Sequence, residues 1–180
     1  MAITSSREMH RSAPKTQGDV WLILLAAAGI LATAWAFELI GGFAPCPLCL
    51  KQRWAYYFAL PALLAAALVF RGDARGAGGL LIALVALAFV ANAVLAGYHA
   101  GAEWKFWPGP STCAGGAGGV SQGLSADDLF SSLDAARVVR CDAAAGRFLG
   151  LSFAGWNVIA SMGLALASYR VLWRASRPTA

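Results

Sequence analysis

The sequence predicts an all-α membrane protein, a four-helix transmembrane bundle, from three observations. The chain of 180 residues is 59% hydrophobic, with a mean hydropathy of +0.62, where a soluble domain of this size holds about half apolar residues. Four stretches, about 20–40, 54–70, 78–98 and 149–173, are apolar over lengths near a bilayer's hydrocarbon core. The charged residues gather between and beyond those stretches, as they do when the apolar runs lie in lipid.

The first span, Val20 to Ile40, carries one charge, Glu38, near its end. At 1.5 Å per residue it reaches roughly 31 Å, enough to cross unaided. A mostly polar segment precedes it, its apolar run exceeds that of a secretory signal, and no small-x-small cleavage site follows, so it reads as an uncleaved anchor. The second span follows "APCPLCLKQR" at 44–53 and holds Pro61, a residue that commonly kinks a span. The third span ends near Tyr98, and a long loop, about 99–148, leads to the fourth. Inside that loop "SADDLFSSLDAARVVR" opens on Ser125 with Asp128 three residues later and sets Leu129, Phe130, Leu133 and Val138 on a helical period. A short amphipathic helix lying on the membrane is expected there. The glycine cluster at 115–119 is no phosphate loop, because no Lys-Ser or Lys-Thr follows it and no strand precedes it. Residues 1–180 therefore form one integral membrane domain.

Four spans put both termini on one side. Arg7, Arg11, Lys15, Arg71, Arg75, Arg170, Arg174 and Arg177 lie in the tails and the 71–77 loop, which makes that side cytoplasmic. Lys51, Arg53, Lys105, Arg137, Arg140 and Arg147 are spread over the loops about 41–53 and 99–148, which have far more sequence. Set against Glu8, Asp19 and Asp73, the cytoplasmic cations account for the net charge of +5, and no nucleic-acid partner is needed to explain it.

All four cysteines then fall outside the cytoplasm, Cys46 and Cys49 in the first outer loop, Cys113 and Cys141 in the second. That compartment permits disulfides; in a bacterium it is the periplasm. A Cys-x-x-Cys bridge closes too small a loop to stabilise much, so Cys46 and Cys49 point to reactivity or to metal. For Cys113 and Cys141 an ordinary structural staple stays open. A Cys₄ zinc site would need a second close pair, whereas Cys113 and Cys141 lie 28 apart and "AGGAGG" follows Cys113. For redox chemistry, Cys49 sits where the second span begins, facing helix N-terminal amides that lower a thiol's pKa, and Cys46 stands one turn up, more exposed. Pro47 removes a donor where the helix has orphans to spare. Arg53, four residues after Cys49, lies on the same helical face: an interfacial anchor, or a fixed cation beside a thiolate. Glu38 could pair with Arg53 or Lys51, and Asn92 suits an interhelical hydrogen bond; neither is placed in the catalytic set.

"CPLCLKQR" before the second span, "GYHAGAEWKFWPGPSTC" leading to Cys113 and "RFLGLSFAGWN" opening the fourth span resemble the DsbB family of bacterial inner-membrane thiol oxidases over nearly the whole chain. The resemblance implies a thiol:quinone oxidoreductase that reoxidises a periplasmic DsbA-like, thioredoxin-fold partner and passes the electrons to membrane quinone, ubiquinone or menaquinone. Residue by residue it implies that Cys113 is attacked by the partner and that Cys141 is its mate. It makes Cys46 the exposed member of the first pair, Cys49 the thiolate that faces quinone, and Arg53 and His99 neighbours of the quinone site. No metal is implied. Such a partner is a strong oxidant, at about −120 mV for DsbA, and only a strong sink such as quinone reoxidises it. "DAAAG" after Cys141 is bland and the loop after Cys113 unusually glycine-rich, which are departures from the family pattern. The other readings are a paralogue dedicated to one substrate, a quinone-linked enzyme of the vitamin K epoxide reductase type, and a Cys₄ metal-binding membrane protein.

Overall fold

The structure, a computed structural model, describes residues 3–70, 75–109 and 140–176, with side chains from residue 16 onward. Four long helices run α1 Ile3–Leu39, α2 Pro47–Val69, α3 Arg75–Glu103 and α4 Phe153–Ser176. The expected amphipathic helix at 125–140 lies almost entirely outside the described residues. One element was not expected: a two-strand hairpin, β1 Arg147–Phe148 paired with β2 Leu151–Ser152, turns through Leu149 (φ +52°) and Gly150 (φ +83°). Positive φ at both central residues is the type I′ arrangement, one of the two that two-residue hairpins favour. It delays the start of the fourth helix to Phe153.

Thr16–Leu39 of α1 and Gly76–Glu103 of α3 are long and apolar enough to cross a membrane. In α2 the apolar run begins only after Arg53, and α4 is diluted by Asn157, Ser161 and Ser168. The helices are apolar outside as well as inside: Leu25, Leu80, Leu87 and Val94 are all more than half exposed. A helix that is hydrophobic all round belongs in a large core or in lipid.

Helix α3 packs most extensively on α4 and then on α2, while α1 lies against α2 and α4. The buried seam repeats at helical spacing, through Val20, Ile23 and Ala27 in α1, Ala59, Leu63 and Ala66 in α2, and Ile82, Val85 and Phe89 in α3. Small buried residues such as Ala93, Ala96 and Ala165 bring the backbones close, and Asn92 donates to Ser161 Oγ at 2.9 Å, joining α3 to α4. Helix α2 runs on through Pro61. At the opposite end from the cysteines Arg174 pairs with Asp19 at 2.6 Å, tying α4 to α1.

Where α3 ends, Lys105 takes φ +65°, the left-handed conformation that usually calls for glycine, and Phe106 N–H donates back to Gly101 O at 3.0 Å. Trp107 then folds over the helix end, stacked on Tyr98 with centroids 5.8 Å apart and its indole N–H on Tyr98 O. A Cβ at Gly101 would lie 2.1 Å from that indole, whereas one at Gly97 meets nothing within 4 Å. Gly101→Ala is therefore expected to displace Trp107 and destabilise the fold by about 1–3 kcal/mol. Gly97→Ala should leave thermal unfolding in detergent near the wild-type midpoint, and the pair of melting curves checks it.

Candidate active site

The site is built where the start of α2 meets the end of α3 and the segment after residue 140. Cys46 is the N-cap of α2, extended at φ −75° and ψ 164°, and its Sγ accepts the Cys49 backbone N–H at 3.3 Å. Pro47 occupies the first helical turn, where its missing donor costs nothing. The helix-terminal amide thus serves Cys46, not Cys49 as the sequence suggested. Exposure is reversed too: Cys46 is 3% exposed and Cys49 is half-buried. The cause is the Cys141 segment, which packs over Cys46 and Leu48.

Cys46 and Cys49 are free thiols with sulfurs 3.1 Å apart, a hydrogen-bonded pair and not a bond. Donation from the Cys49 thiol, opposed by burial and aided by His99, lowers the Cys46 pKa to about 4. The same contact, with burial, holds the Cys49 thiol far above the usual range. The backbone amide at the cap and the neighbouring thiol both favour the thiolate form on Cys46 over Cys49. Cys141 is fully buried and disulfide-bonded. Cys113 lies outside the described residues.

His99 falls inside α3 and not in the loop expected from residue 99, because Ala100, Gly101 and Ala102 continue the buried helical face to Glu103. It is 1% exposed, with Nε2 3.5 Å from Cys46 Sγ and 3.6 Å from Glu103 Oε1. Ligand atoms of Cys46, His99 and Cys141 lie within 4.8 Å of one another. A thiolate and a disulfide sulfur at that separation are one small movement from exchange.

Asp142 secures the segment that carries Cys141. It takes both Nε and a terminal nitrogen of Arg140, at 2.8 and 2.7 Å, and the Lys105 ammonium at 2.9 Å, while Lys105 also donates to the Asp142 carbonyl. This contact explains a lysine at the left-handed end of α3. Arg140 and then Lys105 hold the Asp142 carboxyl well below the usual carboxylate range. With its pKa depressed on folding, the tether is present above the ordinary carboxylate range and is lost only as pH falls through the lowered value. At neutral pH Asp142→Ala should raise alkylation of Cys46 in the reduced protein by about threefold through local opening. An unchanged alkylation rate would mean that the segment is held by its packing alone.

On its other side Cys49 opens onto a cavity of about 680 Å³ between α1, α2 and α4. Its walls are largely apolar, with Phe37, Phe43 and Phe153 in mutual ring contact at 4.8–6.1 Å, and Gln52, Arg53, Tyr56 and Asn157 add polar groups. Arg53 is buried, ion-paired with Glu38 and set over the Trp35 ring at 5.2 Å. Sequence reading missed Gln52, Tyr56, Glu103, Asp142 and Asn157 as parts of the site. The opposite charges on either side of Cys141 in "RCD" were the only local sign of Asp142; Gln52, Tyr56 and Asn157 meet across helices.

The family model described as "Disulfide bond formation protein DsbB" matches residues 18–171. Disulfide bond formation protein B of Xanthomonas campestris pv. campestris (strain 8004) is 37% identical over 145 residues, covering 79% of this chain and 81% of the relative. The protein of that name from Marinobacter nauticus is 34% identical over 77% of this chain and 80% of its own. The one from Methylococcus capsulatus is 30% identical over 91% of this chain and 98% of its own. No solved structure matches. With a thiol pair, a disulfide and apolar helices assembled as described, and with these relatives, the chain belongs to the DsbB family of membrane disulfide bond formation proteins.

Proposed function

We propose that the protein is a thiol:quinone oxidoreductase of the bacterial inner membrane, a single four-span domain with both termini cytoplasmic, that reoxidises a periplasmic DsbA-like oxidase. The observation that carries this reading is the position of Cys46, within 4.8 Å of the Cys141 disulfide sulfur on one side and 3.1 Å from the cavity-facing Cys49 on the other.

A partner thiolate attacks Cys113, breaking a Cys113–Cys141 disulfide and leaving the electron pair on Cys141. The second partner thiol resolves the mixed disulfide and frees Cys113, so the partner is oxidised and the loop pair reduced. Cys141 then attacks Cys46 of the oxidised Cys46–Cys49 pair and Cys49 leaves as thiolate. Cys113 closes back on Cys141 and releases Cys46. This leaves the state described above: a reduced Cys46–Cys49 pair beside an oxidised Cys141. Quinone would supply the acceptor for two electrons and two protons; on the protein, Cys46 would close on Cys49, with one proton coming from the Cys49 thiol and the other from water.

The 680 Å³ cavity is of the size that holds an aromatic ring with part of a chain, and its mixture of aromatic walls and a few polar groups suits a quinone head. Arg53 would hold a quinone oxygen, and the Phe37, Phe43 and Phe153 cluster would flank the ring. A Cys₄ metal site is disfavoured, since it needs Cys141 as a thiolate and the disulfide ties up that sulfur. The test is quinone reduction by the detergent-purified protein, followed by absorbance with and without a reduced DsbA-type partner. Partner-dependent quinol formation is expected; none, with an active partner and accessible quinone, would sink the reading.

A further inference from the structure

Between the thiols and the cavity wall, a line of side chains, buried except for the half-buried Asn157, links three helices. Tyr56 O–H lies 2.6 Å from Asn157 Oδ1, Asn157 Nδ2 lies 2.7 Å from Gln52 Oε1, and Gln52 Nε2 lies 2.9 Å from His99 Nδ1. Beyond the ring, Nε2 faces the Cys46 sulfur and the Glu103 carboxylate. We propose that Gln52 and Asn157 are positioning residues that fix His99 as its Nε2–H tautomer, so that its N–H is delivered to the Cys46 sulfur.

An amide has a donor end and an acceptor end, so one orientation sets the next along the line. Tyr56 donates to Asn157 Oδ1, and Ser161 Oγ, itself accepting from Asn92, reaches the same oxygen at 3.5 Å. With its oxygen engaged by two hydroxyls, Asn157 offers N–H to Gln52 Oε1. Gln52 then has only N–H left for His99 Nδ1, which must be the lone-pair nitrogen. The ring hydrogen is therefore on Nε2. Reversing the line would leave the Tyr56 hydroxyl hydrogen aimed into an apolar cavity, and at the far end a lone pair of His99 facing a thiolate and a carboxylate. Each reversal leaves buried polar groups unsatisfied, which the forward direction avoids.

The charged and titratable groups around this ring and its carboxylate neighbour are Cys46 and Cys49 from the start of α2, Glu103 from α3, and Arg140 and Arg147 from the segment after it. The Cys141 backbone also hydrogen-bonds the ring; at Nδ1 the described partner is the Gln52 amide, and the assignment of that nitrogen rests on it. A positively charged ring, with hydrogen on both nitrogens, is incompatible with a Gln52 donor.

The inference rests on the reading of Cys46 as the exchange thiolate, but its test needs neither quinone nor partner. The chain has only two histidines, His10 and His99, so the reduced protein labelled with ¹⁵N-histidine gives few signals and His10→Gln assigns them. Expected is a His99 with hydrogen on Nε2 alone at neutral pH. A ring protonated on Nδ1, alone or together with Nε2, would overturn the proposal. The second arm is Asn157→Asp, whose carboxylate can no longer donate, so that Gln52 turns and presents its oxygen to Nδ1. Cys46 is then expected to titrate about one pH unit higher, read by thiolate absorbance, although the substitution is two hydrogen bonds removed. A variant that keeps the wild-type melting midpoint and an unmoved Cys46 titration would also overturn it. If that arm drops the melting midpoint, Gln52→Met, which removes the donor without charge, is held to the same criterion.

Discussion

Cys46→Ser is expected to end catalytic turnover, lowering partner-driven quinol formation by about a thousandfold or more, while still allowing one burst of partner oxidation. The serine hydroxyl is neither an exchange nucleophile nor a leaving group for a neighbouring disulfide. Cys141, however, keeps its own disulfide, and that bond can be spent once on the partner. A stopped-flow measurement of partner oxidation beside a steady-state quinol assay separates the two events. Burst without turnover puts Cys46 between the loop disulfide and the acceptor. Sustained turnover would mean that electrons reach quinone without it, and the order of exchanges would have to be abandoned.

Arg53→Ala is expected to raise the KM for quinone about tenfold, equivalent to about 1.4 kcal/mol, and to leave the partner burst unchanged. The side chain lines the cavity, lies over Trp35 and pairs with Glu38, so its loss removes a donor from the cavity proposed to take quinone and leaves a partly exposed carboxylate without its cation. Glu38→Gln separates these effects. It keeps the guanidinium and frees it, so quinone binding should hold or tighten, whereas a merely structural ion pair would make both variants lose stability with no change in KM. Titrating quinone at saturating partner, with a melting curve for each variant, decides between them.

The sulfur pair and Arg53 were legible in the sequence because their chemistry is encoded in local spacing: a step of three from Cys46 to Cys49 and of four more to Arg53. Which sulfur caps the helix follows from Pro47. A proline at the first helical position makes the residue before it the cap, and that residue is Cys46. The burial of Cys46 was not legible, since it depends on a segment almost a hundred residues further along the chain. Gln52 and Asn157 are separated by 105 residues and meet only through the packing of α2 on α4. Neither carries a local pattern that marks it from an ordinary polar residue at a helix contact. The hairpin before α4 was hidden for another reason: its turn uses Leu149, not Asn or Asp, ahead of Gly150, so the usual turn signature is missing.

On the proposed function, the covering of Cys46 bears on how the periplasm and the membrane would be kept electrically separate. A sulfur 3% exposed, roofed by a fully buried Cys141, is shielded from small soluble thiols and disulfides that would otherwise discharge or recharge it at random. On that reading electrons would enter by the loop disulfide or not at all, much as current enters a sheathed conductor only at its terminal. Insulation of this kind would let a strongly oxidising couple work beside a pool of small reductants without a short circuit, and it comes from the packing of the Cys141 segment together with its Asp142 tether.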